Sequence, residues 1–377
     1  MIGRIVQGLS AACIMPSTLA MIKDYFDGEE RQRAISFWSI GSWGGSGSAA
    51  LFGGFIASTI GWRWIFWMSI AVAVASFLLL RDAPESKASS GETRGFDWVG
   101  FATFIIAMVA VNVVIGQGSA LGWTSPVVIA LAGVFVVAAI AFFWVEIGNP
   151  NGFVDLNLFN NKTYTGATLS NFLLNGAAGT LLVALSLVQQ AAGLSSLQSG
   201  MLTIGYLIAI LSTIRVGEKL LRRMGPRKPM LLGCAITGAG ILLTSMTFLY
   251  TGQYMIVAFV GFTLFGVGLG FYATPSTDTA LSNVPNDKAG AASGIYKMAS
   301  SLGAAFGVAI SAALFTALSG EGFTFEPLSE IFLGRTDNTN VRFAAAVALL
   351  FNAAMVVVAI VAIALTVPKD EPRSDNA

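Results

Sequence analysis

The sequence predicts an all-α, polytopic membrane protein, and three observations carry that expectation. Of the 377 residues, 55% are hydrophobic and only 11% are charged, against roughly a quarter charged in soluble domains. Mean hydropathy is +0.74. The apolar residues also gather in runs long enough to cross about 30 Å of hydrocarbon as helices. Strands are disfavoured, because an open sheet cannot satisfy its backbone in lipid and the runs are about twice the length of a barrel strand. A net charge of +1 implies no attraction to nucleic acid. Cys13 and Cys234 both lie in apolar runs and support neither a disulfide framework nor a metal site. Histidine is absent, so a proton relay must use carboxylates, water or a lysine.

About eleven membrane helices are expected, over residues 1–22, 34–59, 62–80, 97–117, 126–146, 163–190, 197–216, 228–250, 253–274, 289–318 and 341–367. The first run carries Arg4 as its one charge before Lys23. No small-residue cleavage site and polar mature chain come after it, as they would after a signal peptide. It reads as a true membrane helix, an internal one whose predecessors are absent. In the second run Gly41, Gly45, Ala49, Gly53 and Ala57 recur every fourth residue. That face carries nothing larger than a methyl, the small-xxx-small device by which membrane helices approach closely. Spacing alone fits a static packing stripe equally well.

Residues 82–95, rich in Pro, Ser, Gly and charge, read as a linker after the third helix. The helices 97–117 and 126–146 form a pair, and Asn149 to Lys162 joins them to the helix at 163–190. In 163–190, Asn171 and Asn175 share one face and are expected to look into a bundle interior. Phe262, Phe265 and Tyr272 offer aromatic surface, for core packing or for a cavity. Lys297 lies well inside its span, placed either to balance a carboxylate in a cavity or to snorkel out. Residues 319–340 are the longest outer loop, acidic and read as solvated. The last helix, with Asn352 its one clearly polar interior residue, reads as lipid-facing scaffold. The expected organisation is a partial amino-terminal bundle (1–81), a linker with a central helix pair (82–147), and a six-helix carboxyl-terminal bundle with a short tail (148–377).

Lysine and arginine concentrate in alternate connections, leaving only Arg63, Arg335 and Arg342 for the other set. By the positive-inside rule the basic set is cytoplasmic. The amino terminus of this chain is then outside and the carboxyl terminus inside a cell membrane. A weak repeat is also visible. Pro16-Ser17-Thr18 recurs as Pro275-Ser276-Thr277, each before a helix rich in small residues, the second carrying Gly303, Gly307 and Ser311. Parallel bundle repeats mark one large transporter class.

Arg4-Ile5-Val6-Gln7-Gly8 resembles the Arg-x-x-Gln-Gly signature of the fourth helix of the major facilitator superfamily. The stripe ending in Gly53-Gly54 resembles the antiporter signature of its fifth helix, with Gly45 in register but Ala49-Ala50 in place of the Gly-Pro pair. Gly61-Trp62-Arg63-Trp64-Ile65-Phe66 resembles a connection in the fourteen-helix drug:proton antiporters. Ile40 to Gly47 and Ser293 to Ser301 resemble quinolone and quaternary-ammonium efflux pumps of that group. The likeness covers almost the whole chain, as the fourth to fourteenth helices with the first three missing.

The resemblance implies a proton-coupled multidrug efflux antiporter, rocking two bundles about a midplane cavity. It assigns proton coupling to Arg4 and Gln7, and the antiporter helix to Gly41, Gly45, Ala49, Gly53 and Gly54. It places a cavity near Asn171 and Asn175, with Phe262, Tyr272 and Lys297 as further candidates. Gly217 to Lys228 looks like a degenerate copy of the family's cytoplasmic signature. Within it Glu218 and Arg222 are spaced to pair along a helix. Arg223 or Arg227 is instead placed to meet Asp278 or Asp287 and latch one conformation, although a plain positive-inside anchor fits as well. The Gly-x-x-x-x-Gly-Lys-Ser/Thr phosphate loop is absent, so an ion gradient is the expected energy source, with no cofactor, no metal and no enzymatic activity. Expected partners are small amphipathic or cationic drug-like molecules and the bilayer, the protein being a monomer. Export of a lipid or metabolite, or a non-transporting membrane fragment, are the alternatives.

Overall fold

The structure, a computed structural model, describes residues 2–83, 97–147, 149, 152, 154–192, 196–319, 332–333 and 337–369. The described residues are helical, with no strand among them. In chain order they form α1 (Ile2–Tyr25), α2 (Gly28–Thr59), α3 (Trp64–Leu80), α4 (Trp98–Leu121), α5 (Pro126–Glu146), α6 (Lys162–Gly176), α7 (Gly179–Ala192), α8 (Ser196–Met201), α9 (Ile204–Met224), α10 (Arg227–Thr244), α11 (Thr251–Ser282), α12 (Ala289–Ser319) and α13 (Thr339–Thr366). Eight of the described spans are long and apolar enough to cross a membrane. α3, with 17 residues, rises only about 25 Å, which is why it falls short.

Local chemistry sets the helix ends. Ser125 accepts a hydrogen bond from the Val128 N–H and Pro126 occupies the first turn of α5, where its missing N–H costs nothing. Asp97 caps α4 through the Gly100 N–H at 2.8 Å and also takes Asn149 Nδ2 at 3.1 Å. α9 stops at Gly225, whose φ of 70° suits glycine. Pro226 comes next and α10 starts at Arg227.

Three expected helices differ. The run 163–190 is broken at Ala177-Ala178, giving α6 and α7. Here the Ala177 N–H turns back to the carbonyls of Leu173 and Leu174, a tightened last turn flanked by Gly176 and Gly179. The run 197–216 is likewise two helices, α8 and α9. The run 253–274 continues through Pro275 to Ser282 as α11.

Helices α6–α13 pack around one core. Phe262, Phe265 and Tyr272 of α11 lie fully inside it, beside Ile210, Ile214, Met230 and Ile241. Lipid is as apolar as these side chains, so helix association must come from close packing and hydrogen bonds. Glycine supplies the approach. A methyl on Gly233 would lie 2.6 Å from the Gly268 carbonyl oxygen, and one on Gly240 would lie 2.5 Å from that of Gly261. α10 and α11 are therefore backbone against backbone. The Gly303/Gly307/Ser311 stripe of α12 does the same against the α6–α7 break: methyls on Gly303 and Gly307 would collide with the carbonyl oxygens of Phe172 and Gly176.

α13 corrects the lipid-facing expectation. One face carries Ala344, Ala345, Ala348, Leu349 and Val356 into the core. Asn352 is fully buried and donates to Ser311 Oγ at 2.9 Å. Polar spacing alone did not separate a bundle-facing asparagine from a helix that merely tolerates one.

The connections fall at two ends, as the charge alternation requires. At the basic end, Lys288 meets Asp155 at 2.5 Å, Asn161 Nδ2 donates to the Asn283 carbonyl at 2.8 Å and Arg227 donates to that of Ala364 at 2.5 Å. Burial alone would raise the Asp155 carboxyl, but the Lys288 ammonium and the Asn157 N–H outweigh it and hold the group below its usual range. At the opposite end, Arg342 is buried and gives hydrogen bonds of 2.7–2.8 Å to the carbonyls of Thr247, Leu333 and Leu249. These bonds tie the α10–α11 connection to the start of α13. Arg342→Ala is expected to cost about 3 kcal/mol, read as a lowered Tm of the detergent-solubilised protein. Arg342→Lys should recover only part, since an ammonium lacks the fork that reaches three carbonyls.

Candidate functional site

The candidate site is the seam where α1 and α2 meet α9, α11 and α12. Gly28, with φ of 52°, allows the tight turn from α1 into α2, so both helices present their basic ends to α11. Lys23 is buried. Its Nζ donates to the carbonyls of Leu281 at 2.7 Å and Pro285 at 3.4 Å, and to that of Val284. These are orphan acceptors at the end of α11, where a cation also complements the helix dipole. Eight residues on, Arg31 Nε reaches Asp278 Oδ1 at 3.0 Å and its terminal nitrogen reaches Ser282 Oγ at 2.8 Å. Gln32 Nε2 lies 3.3 Å from the second Asp278 oxygen.

A second ionic group sits beside the first. Glu218 is buried and accepts from Arg215 and, at 2.7 Å, from Arg222, the pairing its i, i+4 spacing suggested. Arg222 also binds the Glu29 carboxylate at 2.6 Å and the Glu29 carbonyl at 3.0 Å. The expected contact of Arg223 or Arg227 with Asp278 or Asp287 is corrected. Asp278 takes Arg31 and Gln32 instead, Arg227 turns to α13, and Arg223 and Asp287 are exposed. The reason is that α11 runs past Pro275. Asp278 therefore sits on a packed helix facing α2, and not in the connection after it. Lys23, Glu29, Arg31 and Gln32 were not singled out by the sequence patterns. The one available signal was their density on either side of Gly28, where α1 ends and α2 begins.

Further from the basic end the seam becomes aromatic. The Arg215 guanidinium lies 4.8 Å from the centre of the Phe37 ring. The Trp38 indole N–H donates to Thr18 Oγ1 at 3.0 Å, and Lys297 Nζ lies 4.9 Å from its ring centre. Ser293 Oγ reaches the Pro16 carbonyl at 3.2 Å. Ile40 and Trp43 pack on the core of the larger bundle, and Gly44 faces the Leu211 side chain of α9.

The expected small-residue face of α2 looks into open space, although Ile56 further along the helix is buried. Methyls on Gly41, Gly45 and Gly53 would meet nothing within 4 Å, and Phe52 and Phe55 are exposed. Among the described glycines of α2, the one in close approach is Gly44, one position off the expected stripe. The side chain of Ala49 and the surroundings of Gly54 lie outside the described residues, as does the side chain of Arg4. Gln7 is exposed on α1.

Asn171 and Asn175 are tied into the larger bundle. Asn171 Nδ2 donates to the Tyr296 carbonyl at 3.0 Å and to Ser300 Oγ at 2.8 Å. Asn175 Nδ2 donates to Asn171 Oδ1 at 2.8 Å. Tyr272, inside the core with Phe262, bonds Ser170 at 2.7 Å and Ser276 at 2.9 Å. Of the cavity candidates, Lys297 alone stands at the seam between the two sets of helices. Among the described residues no three His, Cys, Asp or Glu side chains gather as a metal site would require.

A family model described as Major Facilitator Superfamily matches residues 1–308 and 167–377 of the chain. The chain belongs to this superfamily. It is therefore a multi-pass membrane transporter, as the helices and the seam between them suggest. Among curated superfamily relatives, the chain is similar to the Quinolone resistance protein NorB of Staphylococcus aureus strains MRSA252 and COL. The identity is 48% over 368 residues, covering 98% of this chain and 76% of each relative.

Proposed function

We propose that this transporter is a proton-coupled exporter of small amphipathic, cationic drug-like molecules, working by alternating access as a monomer, with the basic end in the cytoplasm. The observation that carries the mechanism is the asymmetry of the seam. It is fastened at the basic end by Lys23, Arg31 and Arg222, while the glycine face of α2 at Gly41, Gly45 and Gly53 stands open. A fastened basic end beside an unfilled small-residue face supports a transporter that closes that face in its other state. The drug class is supported by the similarity to a quinolone resistance protein. Proton coupling through Arg4 and Gln7 is supported by their Arg-x-x-Gln-Gly setting on α1.

The test is dye accumulation in cells expressing the protein. Ethidium accumulation should fall several-fold, and a protonophore should restore it. Accumulation unchanged by expression would overturn the drug-export reading and favour a lipid or metabolite as cargo.

A further inference from the structure

Lys297 is the ninth residue of α12 and the one charge of that helix. It is half-buried. Among the described residues its ammonium has neither a hydrogen bond nor an ion pair, and its one electrostatic contact is the face of Trp38, 4.9 Å away on α2. An indole face within about 6 Å of a cation is also how proteins recognise quaternary ammonium ligands. The site is thus already filled as a cation site, by a side chain of the chain itself, and it lies at the seam between the two sets of helices.

The surroundings offer that ammonium no substitute partner. α4 and α7 carry no charged residue, and α6 carries only Lys162, at its basic end. On α13 the charge is Arg342, committed to three carbonyls at the far end. On α11 it is Asp278, paired with Arg31. On α1, Lys23 and Asp24 lie in the last turn and Arg4 in the first, while the charges of α2 stop at Arg33, more than one turn short of Trp38. Asp287 and Lys288 lie in the turn before α12. Other titratable side chains on these helices include the phenols of Tyr164, which donates to the Ala292 carbonyl, and of Tyr296 and Tyr272, which hydrogen-bond Ser276.

We infer that the Trp38 face is a cation site with two competing occupants, the Lys297 ammonium and the cationic group of a substrate, so that each cation loaded releases one proton from Lys297. This rests on the export reading above and adds to Arg4 and Gln7 a proton exchange at the substrate site itself. Two like charges cannot share one poorly solvated ring face. When the substrate cation takes the face, one N–H bond of Lys297 breaks. The electron pair stays on Nζ and the proton passes to water. When the substrate leaves on the other side, Nζ takes a proton there and the ammonium returns to the ring. One monovalent cation exchanges for one proton, with no net charge moved across the site. The substrate class is then a delocalised organic cation bearing no proton of its own to exchange.

The test uses tetraphenylphosphonium, a permanent cation, with the full chain in detergent or nanodiscs. Its affinity should rise at least tenfold between pH 6 and pH 9. In weakly buffered solution, close to one proton should be released per cation bound. Lys297→Met should abolish the proton release and bind equally well at every pH. Lys297→Arg, which cannot lose its charge in this range, should bind weakly throughout. Trp38→Leu should lose at least tenfold in affinity at pH 9. Proton release that persists in Lys297→Met overturns the inference. A protein that exports a zwitterionic quinolone but neither binds tetraphenylphosphonium nor releases protons with it keeps the export reading and loses this one. A protein that does neither loses both.

Discussion

Asp278→Asn should open the basic end of the transporter. The carboxylate is only 7% exposed and its partner Arg31 15% exposed, so solvent does little to weaken the pair. Asparagine keeps the size and the hydrogen-bonding capacity toward Gln32, but it removes the charge. Arg31 is then left beside Lys23 without an anion. A hydrogen bond to a charged group contributes about 1.5–3 kcal/mol. Loss of that interaction from one of two states shifts their ratio at least tenfold. Disulfide formation between cysteines at positions 44 and 211, with Cys13 and Cys234 replaced by serine, reads the closed population, because Gly44 and the Leu211 side chain touch in it. The cross-linking rate should fall about tenfold in Asp278→Asn. Arg222→Ala should have a weaker effect, since Glu29 is 71% exposed and exposed pairs contribute little.

The second large effect separates two glycines that read alike in sequence. Gly307→Leu should destroy the fold of the larger bundle. Even a methyl there would strike the Gly176 carbonyl, so α12 must move away from the α6–α7 break. Overpacking of this kind costs about 1–3 kcal/mol where side chains can yield, and more where the obstacle is backbone. Little protein should survive extraction, and the remainder should melt early. Gly45→Leu should behave in the opposite way. Its surroundings are open, so thermal stability should stay within about 0.5 kcal/mol of the parent. Export should nevertheless stop, because this face closes in the opposite state. Size-exclusion profiles and ethidium efflux of the two variants check both halves. Normal export by Gly45→Leu would show that the stripe of α2 never closes.

Legibility in the sequence tracks physical range. Membrane helices, the grouping of basic connections at one end and the stripe of α12 depend on composition and on neighbours a few residues apart, and these were legible. The spacing of Glu218 and Arg222 gave their pairing for the same reason. The Arg31–Asp278 pair, by contrast, joins residues 247 apart, and no local pattern links them. Pro275 reads as a helix end because proline removes a backbone donor. Tertiary packing carries α11 onward, and that puts Asp278 on a buried surface. The choice of Gly44 over Gly45 depends on the rotation of α2 against α9, a property of the packed bundle. Lys297 is a candidate from its depth in the span, but Trp38, on a distant helix, becomes one only through their meeting over one ring.

The most direct test of alternating access tracks two distances in one protein. Spin labels at exposed Arg33 and Arg223 report the basic end, and labels at Thr59 and Gln253 report the opposite end. Pulsed electron-electron resonance should show a change of opposite sign at the two ends on Asp278→Asn: the first pair moves apart as the second moves together. Unchanged distances at both ends, or movement in the same direction, would contradict a transporter that opens one side by closing the other.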